Sequence, residues 1–195
     1  MKKSILDYFL QVFLIVFSVV LGLYLSERIE EAKEEKEAEK LVARIQSELS
    51  QNKQLLDRWV PYHGDMVDDL DSLYNDEQFI ARFIDDKSAI YGVFTQGTLM
   101  SDLPSNDAWD IAKSHPLIVN VDYDIFMSLS KVYNQQIMTY ENFSQIIDLL
   151  MSSEFNAAET DRQNLRLFRE KLDDIHSREL QLVYYYQKTG EVLAY

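Results

Sequence analysis

Residues 8–25 read YFLQVFLIVFSVVLGLYL, an apolar run in which Gln11, Ser18 and Gly22 are the only exceptions. At about 1.5 Å per residue, a helix of this length spans roughly 27 Å, close to the hydrocarbon thickness of a bilayer. Tyr8 and Tyr24 stand at its two ends, where amphipathic aromatic rings favour the headgroup layer. A core helix is rarely so uniformly apolar. The serious rival is a cleavable signal peptide: the length fits, Lys2 and Lys3 precede the run, and Val20-Leu21-Gly22 passes as a weak cleavage site. Because the run continues past Gly22 to Leu25, the expectation is an uncleaved signal-anchor. It spans residues 8–26 and follows a short cytoplasmic tail, 1–7. Ser18, Gly22 and Ser26 recur every four residues on one helix face, a small-residue stripe that lets two backbones approach closely in lipid.

Outward from the run, composition narrows the class. The chain has 195 residues, no cysteine, and a formal net charge of −14 at pH 7. The length suits one ordinary domain that needs no staples. The lack of cysteine removes disulfide scaffolds, thiolate zinc sites and cysteine nucleophiles together. The acidic balance argues against nucleic acid as a partner, since such binding rests on neutralising phosphates with Lys and Arg. With 5 Gly and 3 Pro, the chain is poor in turn residues and suited to long helices.

Residues 27–41 begin ERIEEAKEEKEAEK, helix formers without Gly or Pro, and predict a charged helical neck continuing the spanning helix. From Val42 a heptad appears, with Val42, Leu49 and Leu56 at one position and Ile45, Asn52 and Trp59 at the other. About two and a half heptads fall short of an autonomous coiled coil, so the stripe is expected to pack within its own domain, residues 42–195. One helix from about Ile5 to Trp59, ended by Pro61, would be roughly 80 Å long.

The remainder reads as helices. Two short ones are expected at 65–74 and 76–85, then an irregular or extended connection over 88–103. A short helix capped by Ser105 runs to Lys113 and stops at His115-Pro116. Asp122 caps a long helix with the stripe Phe126, Leu129, Tyr133, Gln136, Tyr140, Phe143, Ile147 and Leu150. A last helix carries Leu165, Phe168, Leu172, Ile175, Leu182 and Tyr186, interrupted by Glu179 and ended by Gly190. The fold class is therefore all-α: an N-terminal transmembrane helix continuing into a long helix that packs in an antiparallel bundle.

Signals for chemistry are few. Residues 61–124 hold 13 acids against 3 bases, yet the cluster at 65–71 lacks the alternating ligands and terminal glutamate of a calcium loop. It reads as helix caps and solvated faces. There is no glycine-rich phosphate loop, no G-x-S-x-G elbow and no H-E-x-x-H. His63, His115 and His176 lie far apart and read as surface or capping histidines. In Tyr184-Tyr185-Tyr186 at most one or two rings can enter the core, since successive residues point about 100° apart. No catalytic, cofactor or metal site is expected.

The stretch 106–136, NDAWDIAKSHPLIVNVDYDIFMSLSKVYNQQ, resembles a pattern in a family of uncharacterised bacterial single-pass membrane proteins. That pattern has a "TAWE-x-A" helix followed by "D-Y-x-x-x-x-x-L-S-x-x-Y-x-x-Q". The matching residues are Ala108-Trp109-Asp110, Ala112, Asp122-Tyr123, Leu129-Ser130, Tyr133 and Gln136. The family shares an N-terminal transmembrane helix followed by a charged helix, as residues 9–56 do here. Asn106-Asp107 stand where Thr is usual, and His115-Pro116 where Gly is. The resemblance implies a bacterial membrane protein and no reaction. Trp109, Tyr123, Leu129 and Tyr133 are expected as bundle-core motif residues.

Two functional classes follow. One is a membrane-anchored structural or accessory protein acting through protein–protein contacts, as a homo-oligomer or within a larger membrane complex. The other is an extracytoplasmic ligand-sensing bundle. With about seven residues ahead of the spanning run, its signal would have to pass through a membrane partner. Orientation is contested: Arg28, Lys33, Lys36 and Lys40 follow the helix, which favours a cytoplasmic bundle by charge alone. Long domains, however, translocate largely regardless of charge, and the two lysines ahead of the run resemble a signal-anchor. The expectation is an amino terminus in the cytoplasm and the bundle outside the bacterial inner membrane.

Overall fold

The computed structural model describes residues 5–141, 143–157 and 161–193. Lys2 and Lys3 of the N-terminal tail, and Ala158, lie outside them. The described residues are all-α, with no strand among them. The chain runs α1 (Ile5–Tyr74), α2 (Glu77–Asp85), a 3₁₀ turn (Lys87–Val93), α3 (Asp107–Ser114) and a second 3₁₀ turn (Pro116–Asn120). Then follow α4 (Tyr123–Tyr140), α5 (Phe143–Met151), α6 (Ser153–Asn156) and α7 (Asp161–Leu193).

The 70 residues of α1 form one helix about 105 Å long. It does not stop at Pro61, as expected, but carries the proline inside and absorbs the helix predicted at 65–74. An interior proline removes one backbone hydrogen bond and costs about 3 kcal/mol. Pro61 is exposed, whereas its neighbours Trp59, Val60, Tyr62 and His63 are all buried. Burying large side chains gains about 1.5–3 kcal/mol each, so packing on both sides outweighs the break.

Burial along α1 begins at Ala38 and Leu41 and continues through Ile45, Leu49, Leu56, Trp59, Met66 and Leu70. α7 packs on this stripe and α4 packs on α7. Direction follows from cross-links: Arg169 pairs with Asp71, His63 with Glu179, and Gln46 with the Leu193 carbonyl. α7 is thus antiparallel to α1. α4 runs with α1, since Tyr133 bonds Glu48 and the later Gln136 lies beside Asn52.

Local breaks differ from the pattern reading in three places. The long helix expected from Asp122 ends at Tyr140, and α5 restarts at Phe143. The break shifts the phase, so Ile146 is buried and Ile147, expected inside, is 43% exposed. α7 runs through Gly190 to Leu193 instead of ending there. Finally, Ser105 is not the N-cap of α3, which begins one residue later with Asn106 in that position.

Candidate functional site

The apolar run lies wholly on α1, and its large side chains are exposed, from 43% for Leu21 to 71% for Phe9. Nothing in the described chain covers this segment, and it is long and apolar enough to cross a membrane. Ser18, Gly22 and Ser26 sit along it, all exposed. The Ser18 hydroxyl donates to the Leu14 carbonyl one turn back at 2.7 Å. A side chain at Gly22 would meet no atom within 4 Å. The stripe therefore offers close approach to a neighbouring helix, while its serine hydroxyl is already satisfied within α1.

Inside the bundle, polar side chains gather in two sealed networks. In the first, His63 on α1 is fully buried, with Nδ1 2.8 Å from Glu179 Oε2 and Nε2 2.9 Å from the Leu99 carbonyl. Tyr140 donates its hydroxyl to the other Glu179 oxygen at 2.9 Å. The Leu99 carbonyl can only accept, so Nε2 carries a proton. A single further proton then lies between Nδ1 and the carboxylate. Burial alone would lower the His63 pKa; the hydrogen bond and charge of Glu179, with the Leu99 carbonyl, outweigh it and raise it above its ordinary value. The shift favours the proton on His63 Nδ1, facing the Glu179 oxygen 2.8 Å away. Burial, reinforced by Glu179, drives the Tyr140 phenol upward. His63 is thus the histidine that departs from the surface or capping expectation. His115 does cap, accepting from the Leu117 amide at 3.2 Å.

The second network sits lower on α1. The Glu48 carboxylate accepts from the Tyr133 hydroxyl at 2.6 Å, the Ser105 hydroxyl at 2.8 Å and the Ala108 amide at 2.8 Å. That amide belongs to the first turn of α3, whose N-cap residue Asn106 makes no side-chain capping bond. A carboxylate from 60 residues away therefore satisfies an end group of α3 and faces its positive pole. Asn52 clasps the Ser105 backbone from both sides, at 2.6 Å to its carbonyl and 2.9 Å from its amide. Gln136 donates to the Pro104 and Ser105 carbonyls and accepts from the Tyr186 hydroxyl. Burial, then Glu48, raises the Tyr133 phenol.

Trp109, on α3, is buried and stacks on Tyr133 with ring centroids 5.4 Å apart and planes 4° from parallel. Leu129 is fully buried too. Tyr123 is not: it begins α4 and is 71% exposed, on the outer side of a first turn whose Ile125 and Phe126 pack against the core. Three of the four motif residues are thus core and the fourth is surface. Sequence reading missed Glu48 altogether. Its one signal was a glutamate flanked by the buried Ile45 and Leu49 on the apolar side of a helix.

His63 and Glu179 are fully buried and Glu48 nearly so, whereas Ser105 is half-buried and Tyr186 borders an open groove with Gln46, Leu49 and Lys53. Among the described residues, no group of three His, Cys, Asp or Glu side chains is placed to hold a metal. The buried side-chain atoms left without a hydrogen bond are the Trp59 indole nitrogen and the Lys87 ammonium. Lys87 lies over the Phe83 ring at 4.4 Å. On the surface, Tyr91, Phe94, Leu99, Ile147, Leu150 and Met151 line an open apolar groove of about 430 Å³. No protein-family model, curated protein or solved structure matches the chain.

Proposed function

We propose that the protein is a membrane-anchored structural or accessory component, without catalysis, that works through protein–protein contacts of its bundle and its spanning helix. The continuity of α1 carries this reading. The helix that exposes an apolar surface over residues 8–25 is the same helix that forms the column of the bundle from Ala38 to Leu70. A bundle fused to its anchor in this way is held at a fixed distance and rotation relative to the lipid. The internally satisfied networks support the reading as well, because they lock elements together.

In this reading the Ser18, Gly22 and Ser26 face packs against a second copy of the chain or a spanning helix of a larger membrane complex. The amino terminus lies in the cytoplasm and the bundle outside the inner membrane of a bacterium. The shared "AW(E/D)-x-A" and "L-S-x-x-Y-x-x-Q" residues act as packing motifs of that membrane-protein family, with the exposed Tyr123 apart from them. Purification of the tagged full-length chain in mild detergent, followed by mass spectrometry and mass determination of the complex, tests the proposal. A stoichiometric membrane partner or a defined oligomer that Gly22→Leu disrupts is the expected result. A monomer with no stoichiometric partner refutes it.

A further inference from the structure

We infer that the turn Pro116–Asn120, with Tyr123 beside it, is a second lipid contact, an apolar foot that rests in the headgroup layer next to the spanning helix. This rests on the anchor reading of residues 8–25. Residues 115–121, HPLIVNV, carry no acid or base other than His115. Val119 is 80% exposed and Pro116 is exposed, while Leu117 and Ile118 are half-buried against the bundle. An exposed valine and an exposed tyrosine at one end of a domain are unfavourable in water and favourable at a membrane interface, where aromatic rings with a polar tip settle.

The position of this end is set by α1. Asn120 donates to Glu34 at 3.4 Å, so the turn lies beside residue 34. The other long contacts fall higher: the described end of α7 meets Gln46, and α3 begins at Glu48. The turn is therefore the part of the bundle nearest the apolar run. Glu34 lies nine residues past Leu25, which is about 13 Å along the helix. The headgroup layer takes up about 5–7 Å of that on each side of the bilayer. A spanning helix tilted by about 20°, the usual value, lowers an element on a neighbouring axis by about 3 Å. A tyrosine side chain extends over what is left and a valine over part of it. The headgroups are thus within reach of Tyr123, with Val119 at their edge, without any change in the fold.

The charge around the foot says which interaction holds it. Asp122 and Asp124 adjoin it and Glu34 meets it, against Lys113 and His115, and the neck over residues 27–41 carries seven acids to the four bases Arg28, Lys33, Lys36 and Lys40. An acidic surround repels anionic headgroups, so the contact is apolar and suits a zwitterionic surface such as phosphatidylcholine.

The chain has no cysteine, so single cysteines can carry an environment-sensitive fluorophore in full-length protein reconstituted into phosphatidylcholine vesicles. Val119→Cys probes the foot. Val20→Cys, on the helix face opposite Ser18, Gly22 and Ser26, probes the anchor. Met151→Cys probes α5, whose first residue Phe143 packs near His63, about 57 Å up α1 from Leu25. The expected result is blue-shifted emission at 119 that loses about half its intensity to lipids with a nitroxide near the headgroup, with no loss at 151. Emission at 119 matching that at 151, while 20 is quenched by lipids with a nitroxide on the acyl chain, overturns the foot and leaves the anchor standing. A blue shift at 119 without lipid quenching means protein covers it, as in a second copy, and also overturns the inference. A probe at 20 that acyl-chain nitroxides leave unquenched overturns both readings.

Discussion

Replacing Glu179 in two ways separates charge from hydrogen bonding in the upper network. Glu179→Leu removes both carboxylate oxygens. The Tyr140 hydroxyl and His63 Nδ1 then lose their acceptor in a fully buried site. Breaking a buried pair by deleting one partner costs about 3–5 kcal/mol, because the group left behind stays desolvated and unpaired. For a chain of this size each kcal/mol shifts the thermal midpoint by about 2–4 °C, so Glu179→Leu should lower it by about 6–20 °C. Glu179→Gln behaves differently. Its carbonyl accepts from Tyr140 and its amide donates to Nδ1 of a neutral His63, which still donates Nε2–H to Leu99; every bond is kept. The cost should fall to about 1 kcal/mol, the lost charge attraction. The pH response follows by sign. The folded-state pKa of His63 lies above its unfolded value. Its contribution is therefore fully present below about pH 6.5 and is lost as pH rises through the higher folded value. In Glu179→Gln that decline should vanish. Circular-dichroism melts in detergent from acid to mildly alkaline pH measure both effects. Equal losses for Leu and Gln, or an unchanged pH response in Gln, would refute the ion-pair assignment.

Trp109→Ala should cost about 3–5 kcal/mol, the usual loss for a large core truncation, whereas Tyr123→Ala should stay within about 0.5 kcal/mol; paired chemical denaturation measures both. Glu48→Ala strands the Tyr133 hydroxyl and the Ala108 amide, so it should destabilise by about 3 kcal/mol and speed hydrogen exchange across α3 first. Full-length protein should stay with membranes through alkaline carbonate extraction, and deletion of residues 8–25 should release a soluble, mostly helical domain; extraction of the intact chain would refute the anchor. A carboxy-terminal alkaline phosphatase fusion should be active and a fluorescent-protein fusion dark, with the reverse pair placing the bundle in the cytoplasm.

Periodicity exposed the long elements, since the apolar stripes of α1, α4 and α7 are what those helices bury. Their ends were harder to read. Pro61 and Gly190 are strong local stop signals, but a local signal is worth at most about 3 kcal/mol, and side chains packed far away in sequence override it. The break after Tyr140 carries no Gly or Pro, and periodicity runs straight through it. The polar clusters were invisible for a related reason. Gln136 and Glu179 looked like blemishes in apolar stripes. Only the fold brings His63 to Glu179 and Tyr140, or Glu48 to Ser105 and Ala108, across separations of 39 to 116 residues.

Those long-range bonds also explain how one helix can serve two solvents. An isolated helix of 70 residues has no reason to stay straight past an interior proline, and its acidic neck contains repelling pairs such as Glu31 and Glu35. The neck is exposed from residue 27 to residue 36, touched by the Asn120 side chain at Glu34, and the bundle grips α1 from Ala38 upward. Below the neck, lipid would hold the apolar run, since its backbone bonds are all internal and its side chains match the hydrocarbon. The weak stretch is thus clamped at both ends, by bilayer and by bundle. Bending there would move the Pro116–Asn120 turn relative to the lipid surface, so a foot seated in the headgroups would oppose it. On this reasoning the acidic neck keeps the helix solvated, and the stiffness of the whole comes from the contacts above and below it.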